Sequence, residues 1–204
     1  MDIKINFINQ SYDQNNSRIV IFQKNVATNF GEIAVAWRVI ENCGRNWKHS
    51  FTYPMEFQVG AQDPYGNVSD LQDAENGQKW DVVRSPSGDI LVLDPTQASS
   101  LNEVEVKNVL PTGSIDAQIY KNGKLLATKT GVSPQQKAVF QFKPTIWVGV
   151  VSEIEEGDIM DSAILSDINT ELSLLGLTTA DLIMTGGGVG ANAIPFKFTL
   201  VPTA

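Results

Sequence analysis

His49 is the single histidine of this 204-residue chain, so any Ser-His-Asp arrangement would have to use it as the base. No Gly-x-Ser-x-Gly elbow offers it a nucleophile. One histidine and one cysteine, Cys43, fall short of the four nitrogen or sulfur ligands that a structural zinc takes. Cys43 lies near Arg45, Lys48 and His49 in sequence, but a lone small thiol suits a buried or half-buried packing position better than a reactive one. The sequence assigns no catalytic residue.

The densest set of carboxylates is Glu153-Ile-Glu-Glu-Gly-Asp158, followed by Asp161 and Asp167. Oxygen ligands at such spacing make Glu153, Glu155, Glu156 and Asp158 the calcium candidates, although the regular alternation of an EF-hand loop is missing. The same acids are the only basis for a hydrolase reading, in which two carboxylates act on a glycosidic bond. The plainer expectation is a solvated loop whose last acids favour the positive end of a following helix.

Gly188-Val-Gly-Ala-Asn-Ala193 brushes against a dinucleotide fingerprint, which works only where it joins a strand to a helix. Here Ile194-Pro-Phe-Lys-Phe-Thr-Leu200 follows, with the alternation of a strand, so Gly186–Gly190 is expected to be a mobile hairpin loop. No cofactor is expected. Three Asn-x-Ser/Thr sequons, at Asn9, Asn15 and Asn67, carry no weight without a secretory signal.

Aromatic residues in polar loops remain. Trp47 lies in Cys43-Gly-Arg-Asn-Trp-Lys-His49, Tyr65 in Asp63-Pro-Tyr-Gly-Asn67, and Tyr12 in the first loop. Rings beside Asn, Asp and Arg can stack on a sugar or enter a lipid interface, which makes Trp47, Tyr65, Arg45, Tyr12 and Asn67 the candidate ligand-binding residues. The competing expectation folds Trp47 and Tyr65 back over the protein, because tryptophan is usually largely buried. Asn46-Trp-Lys-His-Ser-Phe-Thr-Tyr53 is also faintly similar to the aromatic loops of β-sandwich pore-forming toxins, which gives a membrane-active protein as an alternative.

The bulk composition narrows the classes. Hydrophobic content of 42% with 19% charged residues is that of a globular chain. A net charge of −8 argues against nucleic acid and against electrostatic adhesion to anionic membranes. One cysteine excludes an internal disulfide framework. No basic region leads into an apolar run at the N-terminus, and no apolar stretch approaches the roughly 20 residues of a membrane-spanning helix. The expected location is the cytoplasm, or release without a recognisable signal peptide.

These residues must be positioned by strands. Ile3, Ile5 and Phe7 alternate with polar neighbours, as do Ile33–Ile40 and Phe51–Ala61, where Pro54 marks a bulge or an edge. Ile115–Thr130 is a hairpin about Asn122-Gly123, whose two central residues both tolerate positive φ. That turn places Ile119 opposite Leu126, Ala117 opposite Thr128, Tyr120 opposite Leu125, and Asp116 against Lys129. Asp70–Glu75 suits one helical turn, and Ser85-Pro-Ser-Gly88 a longer hairpin loop. Ile164, Leu165, Ile168, Leu172 and Leu175 recur at helical spacing, with Asp161 or Ser162 as cap and Gly176 past the end. The reading is an all-β antiparallel sandwich, jelly-roll-like, of roughly a dozen strands with one short helix near residues 162–175. It is taken as a single domain over 1–204, with a weak subdivision near 94–100 and no internal repeat. The expected function is non-enzymatic recognition or self-assembly; the candidate partners are a glycan, a lipid surface, another protein or a second copy of the chain.

Overall fold

The computed structural model describes residues 2–27 and 34–203. It is nearly all β, with one short α-helix, and divides into two compact units. Unit 1 comprises 1–23, 36–55 and 144–204; unit 2 comprises 24–35 and 56–143. The 94–100 segment, expected as a subdivision, lies inside unit 2.

The chain begins in unit 1 with β1 (Ile3–Asn9) and β2 (Arg18–Phe22). The expected strand Ile33–Ile40 is divided: Ile33 lies outside the described residues, β3 is Ala34–Val35 in unit 2, and β4 is Arg38–Ile40 in unit 1. Next come β5 (Lys48–Tyr53) and β6 (Phe57–Gln62), read in the sequence as one run. Pro54 ends the first of them, and the chain passes into unit 2 before the second starts, because proline cannot extend the ladder.

Unit 2 continues with β7 (Gln72–Ala74), β8 (Gln78–Ser85), β9 (Gly88–Gln97), β10 (Val104–Asn108), β11 (Ile115–Lys121), β12 (Lys124–Val132) and β13 (Lys137–Phe140). β7 replaces the helical turn expected at Asp70–Glu75; its pairing with β6 sets Gln58 against Asp73. The loop expected at Ser85–Gly88 is a tight turn, since Ser85 and Gly88 are themselves paired.

Unit 1 resumes with β14 (Thr145–Val151), β15 (Ile159–Met160), α1 (Ser162–Asp167), β16 (Thr170–Ser173), β17 (Thr179–Gly187) and β18 (Ile194–Pro202). Asp161 caps α1 by accepting from the Ile164 amide at 2.8 Å. The helix stops well short of Leu175. Ile168 leaves it to pack on Gly149, and Thr170–Ser173 joins the edge of β14, which satisfies its backbone better than another helical turn would. Gly176 follows a strand instead of a helix.

Unit 1 is built from two sheets, β18-β17-β1-β5 and β16-β14-β2-β4. Ile3, Ile5 and Phe7 form one buried row as expected, with Leu182, Met184, Ile146 and Val148 among the other core residues. Each such side chain contributes about 2 kcal/mol by leaving water. Unit 2 pairs β13-β10-β8-β9 with β3-β12-β11-β6-β7 around Trp80, Val106, Ile119, Leu126 and Phe140. Among the strand pairs whose register is described, β1 with β17 and β8 with β10 are parallel and the others antiparallel.

The Asn122-Gly123 turn forms, with both residues at positive φ, and Tyr120 meets Leu125 as expected. Beyond that pair the register departs from the expected one. Leu126 is an extra residue, so Ile119 meets Ala127 and Ala117 meets Lys129. The bulge turns Leu126 fully into the core, and Asp116 accepts from the Gly131 amide at 2.9 Å.

The two units repeat one plan, which the sequence did not reveal. Unit 2 runs β6 through β13; unit 1 has the same sheet positions in the order β14, β16, β17, β18 and then β1, β2, β4, β5. Registers coincide. Phe7 pairs with Leu182 and His49, as Val106 pairs with Trp80 and Ala138. Ile5 pairs with Phe51, as Val104 pairs with Phe140. Val20 opposes Gly149, as Gln118 opposes Gly60. One unit is thus an internal control for the other: where the plan is held in common, a difference in residue type is not demanded by the fold.

Candidate functional site

The five residues expected to bind a ligand fall into two groups. Tyr12, Arg45 and Trp47 come together in unit 1; Tyr65 and Asn67 lie in unit 2.

The unit 1 group stands on a tightly bonded backbone. Asn9, buried at the end of β1, accepts through Oδ1 from the Ser11 amide at 2.9 Å and the Ser11 hydroxyl at 2.6 Å, and donates to the Cys43 carbonyl at 2.6 Å. Asn46, at φ +66°, donates its amide to the Asn9 carbonyl, and the Asn9 amide donates to Trp47. Tyr12 donates to Gly186 at 2.7 Å and accepts from Gly188 at 3.0 Å. Gly187 is essential to that approach. A Cβ there would stand 2.9 Å from the Tyr12 carbonyl carbon and from the Phe196 ring. The glycine segment expected to be a mobile loop is therefore partly strand, and the backbone it comes close to is the protein's own.

From this support the side chains project outward. The Arg45 guanidinium carbon lies 3.8 Å from the centre of the Tyr12 ring, a cation–π stack. Tyr12 is 54% exposed and Trp47 69%, so the folded-back position considered for Trp47 is not the one it takes. Among the described residues no carboxylate pairs with Arg45.

In unit 2 the Asp63–Asn67 turn forms as expected. The Asp63 carboxylate accepts from the Tyr65 amide at 2.9 Å, the Asn67 amide at 2.8 Å and the Asn67 side chain at 2.7 Å. These donors, the Asn67 side chain foremost, hold the Asp63 carboxyl below its ordinary pKa. Tyr65 is 90% exposed, and Asp63 and Asn67 line a cavity of about 310 Å³.

The other candidates are dispersed. Glu153, Glu155, Glu156 and Asp158 are all exposed; Asp158 accepts from the Glu155 amide at 2.9 Å, and Glu156 lies 3.9 Å from Arg38. Among the described residues no three His, Cys, Asp or Glu side chains gather as a metal site. Nor do the four loop acids converge in a cleft, as a glycoside hydrolase would need. His49 is half-buried in β5, opposite Phe7. Burial pushes the half-buried Cys43 thiol up, away from the thiolate that a nucleophile needs. Lys48–Tyr53 is a sheet strand, so only the start of the toxin-like segment is loop. No helix among the described residues is long and apolar enough to cross a membrane.

Sequence reasoning missed Arg84 and Asp89, an ion pair beside the same cavity, because strand alternation alone gives no sign of an opening. No family model matches the chain, and no curated protein or solved structure does either.

Proposed function

We propose that the chain is a non-enzymatic recognition protein that binds an acidic saccharide through Tyr12, Arg45 and Trp47. The observation that carries this reading is the contrast between the two units. The loop holding Arg45 and Trp47 has a counterpart in unit 2: Trp47 donates to Gly44 as Gln136 donates to Ser133, and Asn46 bonds Asn9 as Gln135 bonds Asn108. At the places of Tyr12, Arg45 and Trp47, unit 2 has Pro111, Pro134 and Gln136. The turn that carries Arg45 and Trp47 is built there without an aromatic ring or a cation, and Pro111 cannot donate the backbone bond that Tyr12 gives to Gly186.

The chemistry suits a sugar acid. Exposed ring faces pack against the C–H face of a pyranose, and a guanidinium without a carboxylate partner presents paired donors to a carboxylate. Stacking on Tyr12 fixes the orientation of Arg45 before the ligand arrives, which lowers the ordering cost of binding.

A glycan array carrying both acidic and neutral saccharides tests this. Retention of uronate- or sialate-bearing glycans is expected, falling as salt rises and lost in Trp47→Ala and Arg45→Ala. Retention of no acidic glycan, or equal retention by both variants, would overturn the reading.

A further inference from the structure

The cavity of unit 2 lies where β8, β9, the start of β11 and the Asp63–Asn67 turn meet. Its floor includes Val82 and Leu91, and its rim Asp63, Asn67, Ser87 and Asp89. Unit 1 shows what the same plan looks like when this end is filled. Val82 pairs with Leu91 and Asn108 as Met184 pairs with Phe198 and Asn9. Larger side chains therefore take both floor positions in unit 1, and Met184 and Phe198 are buried there. Two residues along the same face of the outer strand, Phe196 stands where unit 2 has Asp89. Asp89 is paired, with Arg84 across the hairpin, at the place where unit 1 has Gly186.

The plan thus accepts larger side chains at these positions, and unit 2 lacks that bulk. We infer that this cavity is a second binding site, for an uncharged saccharide of one or two rings. Its size, about 310 Å³, is at the lower end of pockets that enclose small molecules, which begin at about 300 Å³. The lining is amphipathic as a pyranose is, with aliphatic side chains below and hydroxyl, amide and carboxylate groups at the rim. Charge selects against ions. Asp63 and Asp89 repel an anion, while Arg84 and the turn amides already offset both carboxylates against a cation. A carboxylate has about four acceptor positions, so both can still accept from sugar hydroxyls. Tyr65, between Asp63 and Asn67 in sequence, is almost wholly exposed.

Leu91→Phe gives unit 2 the residue found at the matching place in unit 1 and fills the cavity from its floor. Asp89→Ala removes a rim acceptor while leaving the floor intact. Saturation-transfer NMR with a panel of free neutral mono- and disaccharides, on the full chain, reads binding directly. At least one saccharide should give transfer to wild type that drops at least fivefold in Leu91→Phe and in Asp89→Ala, with thermal unfolding unchanged, and persists in Trp47→Ala. No transfer to wild type from any panel member would overturn the inference. So would transfer that survives both cavity variants, or that disappears in Trp47→Ala alone, which would assign it to the unit 1 loops.

Discussion

Asn9 and Asn108 occupy the same place in the two units and make the same bonds. Each is buried at the end of a strand, accepts from the amide two residues ahead and donates to the segment that leads into the neighbouring antiparallel strand, to Cys43 at 2.6 Å or Val132 at 2.8 Å. Asn108 also donates to Gly113 at 2.8 Å. The asparagine is thus the joint on which the strand-end loops of both units hang.

Replacing Asn108 by Ala leaves a buried amide and two carbonyls without partners, so a loss of about 1–3 kcal/mol is expected in urea unfolding. Asn108→Asp should be worse at neutral pH, because a carboxylate would face two carbonyl oxygens where an amide donated. A wild-type unfolding midpoint for either variant would remove the joint's claimed role.

Gly60 and Gly149 are the second matched pair. A Cβ on Gly149 would stand 2.5 Å from Ile168 Cγ1 and 2.9 Å from two further atoms of that side chain. On Gly60 the nearest atom, 3.0 Å away, is the far end of Leu71. A leucine tip can turn aside, whereas a β-branched isoleucine cannot. Gly149→Ala should therefore cost about 1–3 kcal/mol and Gly60→Ala distinctly less. Equal costs, measured by thermal unfolding, would contradict this account of the packing.

Alternation and turn chemistry made the all-β class and many of the strands legible, from Ile3, Ile5 and Phe7 to Asn122-Gly123. The register beyond that turn was hidden, because Leu126 bulges inward in response to the core and not to any local signal. Ile168 and Leu172 fit a helix and a strand equally well, and the open edge of β14 decided between them. The repeat was unreadable because matched core positions carry different residues, Phe7 against Val106 and Leu182 against Trp80; only a few, such as Asn9 with Asn108, agree. Loop composition pointed to Tyr12, Arg45 and Trp47 but not to their convergence. The cavity was invisible because it results from bulk that unit 2 lacks.

Glu105 gives a pH prediction. Burial works to raise its carboxyl pKa, but Lys137 at 2.6 Å and the Ser99 amide at 2.8 Å outweigh that and hold it at about 2, against an ordinary 4.5. A depressed carboxyl stabilises the fold above its unfolded-state value, and the contribution is lost as pH falls through the folded one. Wild type should therefore lose an advantage over Glu105→Gln between about pH 4.5 and pH 2. Lys137→Met should be less stable than Glu105→Gln at pH 7, since it strands a buried charge, and should converge with it at a higher pH than wild type does, because burial raises the carboxyl once Lys137 is gone. Parallel pH profiles for the three proteins would refute the pairing.

Trp47 offers the most direct check on the proposed platform. Of the four tryptophans, Trp37 and Trp80 are buried and Trp147 is half-buried, its ring centre 6.4 Å from that of Phe22. Solvent-exposed emission should therefore come chiefly from Trp47. Trp47→Phe is expected to shift the fluorescence maximum to shorter wavelength and to remove most of the acrylamide-accessible component, with stability changed by less than about 0.5 kcal/mol because so little of the ring is buried. Addition of an acidic saccharide should protect that same component in wild type and leave the spectrum of Trp47→Phe unaltered. If acrylamide quenches both proteins equally, Trp47 is not at the surface and the platform cannot act as proposed. If quenching differs but no acidic saccharide protects wild type, the exposure stands and the ligand assignment fails.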